Sequence, residues 1–132
     1  MMEFFSKKLG VDYPWKKYSQ VVVRDFVSGA MENTTASIFG EFVQKHNHEL
    51  ADNDDINQLI TAHELMHHWF GDYVTCESWS NLTLNEGFAN YSEYLWFEHN
   101  EGADHADQHR LNELNGYLSS AARGIHLSLI HI

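Results

Sequence analysis

The chain predicts an α+β fold, a short mixed or antiparallel sheet followed by helices, and three observations carry that reading. After a short opening helix, apolar residues between about residues 20 and 45 sit in short strand-like runs, whereas those after about residue 55 recur at steps of three and four. Strand-like runs come first and helical periods after, so sheet and helices segregate. The first of those periods also carries three histidines and a glutamate within six positions, in "HELMHH" (His63 to His68).

Taken in order, Met2 to Leu9 reads as a helix with Phe4, Phe5 and Leu9 on one side, closed by Gly10. "VDYPW" turns into extended chain, because the residue before Pro14 is pushed out of the helical region. "QVVVRDF" (Gln20 to Phe26) is a strand, "SGAMENTTASIFG" (Ser28 to Gly40) breaks at Gly29 and continues extended, and "EFVQK" reads as one more strand. His46 to Asp55 is a polar loop whose last acids can cap the next helix. In that helix Ile56, Leu59, Ile60, His63, His67 and Phe70 form one stripe, and Gly71 stands at the C-cap. "YVT" is extended and "ESWSNLT" a loop. A second helix spans about Leu84 to Glu98 with Phe88, Tyr91, Leu95 and Trp96 inward, and a third spans Ala103 to about Ala122, weakened by Gly116.

The 132 residues fit one modest domain, and 43% hydrophobic content suffices for a core. A net charge of −11 offers no basic patch for a phosphate backbone, which excludes nucleic acid as a partner. Cys76, the single cysteine, forms no internal disulfide and reads as a small buried hydrophobe. No apolar run reaches membrane-spanning length and no signal peptide is visible, which leaves the compartment open.

His63 and His67 lie four apart, one above the other on a helix face, close enough for both imidazoles to reach one metal ion. Catalytic zinc commonly takes two histidines and a carboxylate, and Glu86, with 18 residues intervening after His67, supplies the third ligand after a reversal. The competing reading is two core histidines with satisfied partners, in a chain whose 10 histidines make a chance motif easier. Two histidines and a carboxylate buried together carry a heavy desolvation cost, which a divalent cation offsets. His105 and His109 share the same spacing without a visible third ligand and read as solvent-facing, as do His46 and His48 in their loop. Trp69, Phe70, Trp79, Tyr91 and Trp96 read as core.

His63-Glu64-x-x-His67, Glu86 in "NEGFA", and "GAMEN" at Gly29 to Asn33 together resemble the M1 family of gluzincin zinc aminopeptidases. The likeness runs through "HHWFGDYVT", "ESWSNLTLNEGFA" and "YSEYLW". It implies part of a thermolysin-like catalytic domain over residues 1–123, followed by a tail, 124–132, outside the family pattern. It implies one zinc ion per chain on His63, His67 and Glu86, with Glu64 as the base that activates water and then protonates the departing amine. It further implies that Glu32 holds the free α-ammonium of a peptide substrate, while backbone around Gly29 and Ala30 pairs with the peptide, within a binding segment Gly29, Ala30, Met31, Glu32 and Asn33. Glu93 and Asn90, on the face of Glu86, could orient a ligand histidine or make an ordinary helix contact. His68 could line the site or simply pack.

The family's oxyanion-donating tyrosine lies well downstream of the second zinc helix, and Tyr91, Tyr94 and Tyr117 do not match it. The domain that completes the family's substrate cleft is not in this chain, which therefore reads as a fragment. Three alternatives to an aminopeptidase centre follow: a zinc-binding but non-catalytic segment, an endopeptidase of the wider H-E-x-x-H group, and a relative that opens lipid epoxides.

Overall fold

A computed structural model describes residues 1–45 and 55–125. The segment assigned above as the His46-to-Asp55 loop, apart from Asp55 itself, and the tail from residue 126 lie outside them.

Helix α1 spans Met2–Leu9 and ends as its sequence implies, with Gly10 in the left-handed region at φ 68° and its N–H bonded back to Ser6. The sheet has three strands, β1 (Ser19–Val23), β2 (Ala30–Met31) and β3 (Ala36–Gly40), in the order β1-β3-β2. It is mixed: β1 runs parallel to β3, and β2 runs antiparallel to β3 with Ala30 opposite Phe39 and Met31 opposite Ile38. Two elements differ from the sequence reading here. β1 stops three residues before Phe26 because Asp25 adopts a positive φ of 53°. "EFVQK" is not a strand; Glu41–Val43 makes a single 3₁₀ turn directly after β3.

Helix α2 runs Asp55–Met66, α3 runs Thr83–Asn100 after a 3₁₀ turn at Trp79–Asn81, and α4 runs Ala103–Ala122, unbroken at Gly116. The core forms where α1 meets α2: Phe5, Ala62, Leu65, Met66 and Trp69 are buried together, with Phe4, Leu9, Tyr13 and Trp96 packed around them. This corrects the face assigned to α2. The stripe Ile56, Leu59, Ile60 borders a cleft, with Ile56 60% exposed, and the core takes the opposite side of the helix.

The face of α3 is corrected too. Phe88 and Tyr91 are exposed, and the buried positions are Asn85, Ala89, Ser92, Leu95 and Phe97. Small residues sit where α2 and α3 touch, and the size of contact side chains sets how closely two helices approach. Ser92, fully buried, donates its hydroxyl to the Ala62 carbonyl of α2 at 3.1 Å. Trp69 is core as expected, whereas Trp79 at 79% and Tyr91 at 55% exposure are not, and Cys76 is only half-buried.

Candidate active site

Helix α2 delivers His63 and Glu64 from its last turns, and His67 follows in the turn that ends it. Asp72 N–H bonds back to the His67 carbonyl at 2.9 Å, and Gly71 (φ 143°) leaves the ring room: a Cβ there would lie 3.2 Å from His67 Nδ1. A side chain at residue 71 would press on the imidazole, so this glycine serves the site as well as the turn.

Glu86 enters from the first turn of α3. Its Oε2 lies 3.3 Å from Nε2 of both His63 and His67, and one ligand atom from each of the three residues falls within 4.8 Å of the others. The remaining ring nitrogens are committed. His67 Nδ1 donates to the Phe70 carbonyl at 3.1 Å, and His63 Nδ1 lies 2.8 Å from Glu93 Oε1. A carbonyl only accepts, so the neutral His67 tautomer keeps its Nε2 lone pair toward Glu86 and the space between the three residues.

Burial opposes charge on all of these groups, and their mutual contacts outweigh it. Hydrogen bonds accepted by Glu86 and Glu93 raise His63, that accepted by Glu86 raises His67, and the two imidazoles hold Glu86 below the usual carboxylate range. Glu64 behaves differently. It is 6% exposed, its Oε2 is buried without a hydrogen-bond partner, and burial, reinforced by the charges of Glu32 and Glu86, pushes it up to about 7 against the opposing pull of His63 and His67. A carboxylate left orphaned beside two imidazoles and a second acid is the donor chemistry that accommodates a divalent cation and a proton-transfer base.

A cleft of about 650 Å³ opens over these atoms. His63, Glu64, His67, Glu86, Asn90 and Glu93 line it on the helical side, and Gly29, Ala30, Met31 and Glu32 line it from the sheet. β2 is the last strand in the order β1-β3-β2, so its backbone borders the cleft as a sheet edge. Asn33 is exposed and absent from the lining; its carbonyl accepts the Ala36 N–H at 2.7 Å and closes the turn into β3.

His68 faces away from the cleft and is fully buried. Its Nδ1 donates to the Glu64 carbonyl at 3.0 Å and its Nε2 accepts the Thr35 N–H at 3.1 Å. With both nitrogens spent, it ties the end of α2 to the turn after Glu32, and burial lowers its affinity for a proton. The packing alternative stated for His68 therefore holds, and the side chain helps fix the Gly29-to-Asn33 segment over the helix.

The second histidine pair corrects its expected solvent-facing role. His105 Nε2 lies 3.2 Å from Asp55, His109 Nε2 lies 3.3 Å from Glu93, and both rings stand edge-on to Phe97. Of Asn90 and Glu93, Glu93 contacts His63, and the signal for it is its place two turns along the face of Glu86.

Two packed helices of an α+β fold thus converge two histidines and a glutamate beneath a sheet edge, a donor set that could hold one metal ion. The chain belongs to peptidase family M1, whose domain pattern matches residues 1–126. It is 39% identical to aminopeptidase N of Canis lupus familiaris over 109 residues, covering 81% of this chain and 11% of that protein. It is 38% identical to aminopeptidase N of Bos taurus over 109 residues, with the same two shares. Aminopeptidase M1 of Arabidopsis thaliana is 38% identical over 96 residues, covering 71% of this chain and 11% of the relative. The chain thus spans about a ninth of the length of the curated relatives it matches. No helix among the described residues is long and apolar enough to cross a membrane.

Proposed function

We propose that this chain carries the zinc and substrate-amine sites of an aminopeptidase, acting on peptides with a free N-terminus. The observation that supports the reading best is spatial coincidence: the His63, His67 and Glu86 ligand atoms, within 4.8 Å of one another, share one cleft with Glu32 and the β2 edge. His63, His67 and Glu86 hold one zinc ion. Bound there, zinc supplies Lewis acidity, favouring ionisation of water and polarising a carbonyl.

The chain's own residues do the rest. Glu64, buried and without a partner on Oε2, takes the proton of the attacking water and returns it to the departing amine nitrogen as the C–N bond breaks. Burial pushes it up to about 7, where both protonation states are populated, which suits a group that must both accept and release a proton near neutrality. Glu32 receives the substrate's α-ammonium, and Gly29 and Ala30 offer edge-strand backbone to the peptide, with Met31 and Asn33 completing the segment. A carboxylate fixed near the hydrolytic centre selects the end of a chain.

A second reading, a zinc-binding segment inactive by itself, is supported by the apolar side chains left at the surface, Trp79, Tyr91 and Phe88 among them. Elemental analysis and an aminoacyl reporter separate the readings. One zinc per chain with cleavage of the free-amine reporter, abolished by N-acetylation, is the expected result. Zinc without turnover favours the second reading, cleavage indifferent to acetylation favours an endopeptidase, and failure to bind zinc sinks both.

A further inference from the structure

Glu93 has two carboxylate oxygens and spends each on an imidazole from a different helix. Oε1 is 2.8 Å from His63 Nδ1 on α2, and Oε2 is 3.3 Å from His109 Nε2 on α4. The His109 side chain is 11% exposed and its ring stands edge-on to Phe97 of α3, centroids 5.5 Å apart, so the imidazole is held on two sides. α4 is otherwise a solvated helix whose buried residues are Ala106 and Ser120. Its reach toward the centre is therefore specific to this one side chain among the described residues.

From this contact we infer that His109 is a positioning residue for the metal centre, holding the Glu93 carboxylate in the orientation that aims His63. The inference rests on the zinc reading above and adds a member to that centre from a third helix. Glu93 borders the open cleft, where a carboxylate with a free oxygen can turn toward water. With Oε2 bound by His109, Oε1 stays against His63 Nδ1, the Nδ1–H tautomer is favoured, and the Nε2 lone pair points at the space shared with His67 and Glu86. Partners of a ligand imidazole act on metal affinity through ring orientation and basicity, and the partner of such a partner acts in the same direction more weakly.

The test compares His109→Leu with His109→Gln in the whole chain, reading zinc affinity by competition with a chromophoric chelator. Leucine keeps apolar bulk against Phe97 but offers no donor, whereas the glutamine amide can donate to Glu93 from about where Nε2 stands. Leucine is expected to weaken zinc binding about tenfold, the low end for partners outside the ligand set, and glutamine to stay within about threefold of the parent. Thermal unfolding of the metal-free variants should not follow that order, since leucine packs at least as well as glutamine. Parent-like affinity in the leucine variant overturns the inference, as does a glutamine variant as weak as leucine. Should leucine prevent folding, His109→Met makes the same comparison. A parent chain that takes up no zinc fails the underlying reading instead, and is told apart by the parent measurement alone.

Discussion

Two histidine pairs with the same four-residue spacing meet different fates in this molecule. His63 and His67 both turn Nε2 to a single oxygen of Glu86, whereas His105 and His109 part company, one to Asp55 and the other to Glu93. Spacing places two rings on one helix face and does no more. What separates the pairs is the neighbouring helix: α3 presents Glu86 midway between the α2 rings, whereas the carboxylate it gives His109 of α4 is Glu93, already engaged by His63. The α4 pair thus works as two separate helix-to-helix contacts, and one of them reaches the first pair indirectly.

The strongest way to sharpen this contrast removes the proposed base while keeping the proposed ligands. Glu64→Gln should leave one zinc per chain and lower turnover of a free-amine reporter by about 10²–10⁴-fold, measured in an active full-length context. Retained turnover there would strip Glu64 of its role. Next come the histidines themselves: His67→Ala should cost more than about 100-fold in zinc affinity, exceeding what partners outside the ligand set are worth, while His105→Ala should leave affinity unchanged. Equal losses in a chelator competition would mean that the two pairs do not differ as described.

The two faces of α2 give a smaller effect. Leu65, 2% exposed, should cost about 2–5 kcal/mol on truncation to alanine, whereas Ile56→Ala at the exposed cleft rim should stay within about 0.5 kcal/mol in denaturant unfolding. The reverse order would return the Ile56 stripe to the core. The smallest effect belongs to the half-exposed His105 pair with Asp55, whose loss in His105→Ala should be under about 1 kcal/mol by thermal melting.

Much of the architecture was legible because its signals are local. Gly10 announces the end of α1 through a left-handed φ that other residues resist, and α4 occupies the predicted Ala103-to-Ala122 span. The strand expected at "EFVQK" is absent because β3 ends at Gly40 and the chain tightens immediately, which five residues with one apolar pair do not reveal. The inward faces of α2 and α3 were misassigned for one shared reason. Large apolar residues ordinarily mark the core, but the helices cross closely on Ala62, Ala89 and Ser92, and that contact leaves Phe88, Tyr91 and Ile56 outward.

By itself the sequence determined which side chains share a helix face and which segment types follow one another, because both depend on the pitch of a local backbone. It therefore yielded His63, Glu64 and His67 as a set, and Glu86 as a candidate third member. Tertiary structure decided which faces are buried, that Glu32 and the β2 edge look into the same cleft as those residues, and that His109 reaches Glu93. Those outcomes depend on how separate elements cross, and a crossing is fixed by the size and polarity of residues distant in the chain.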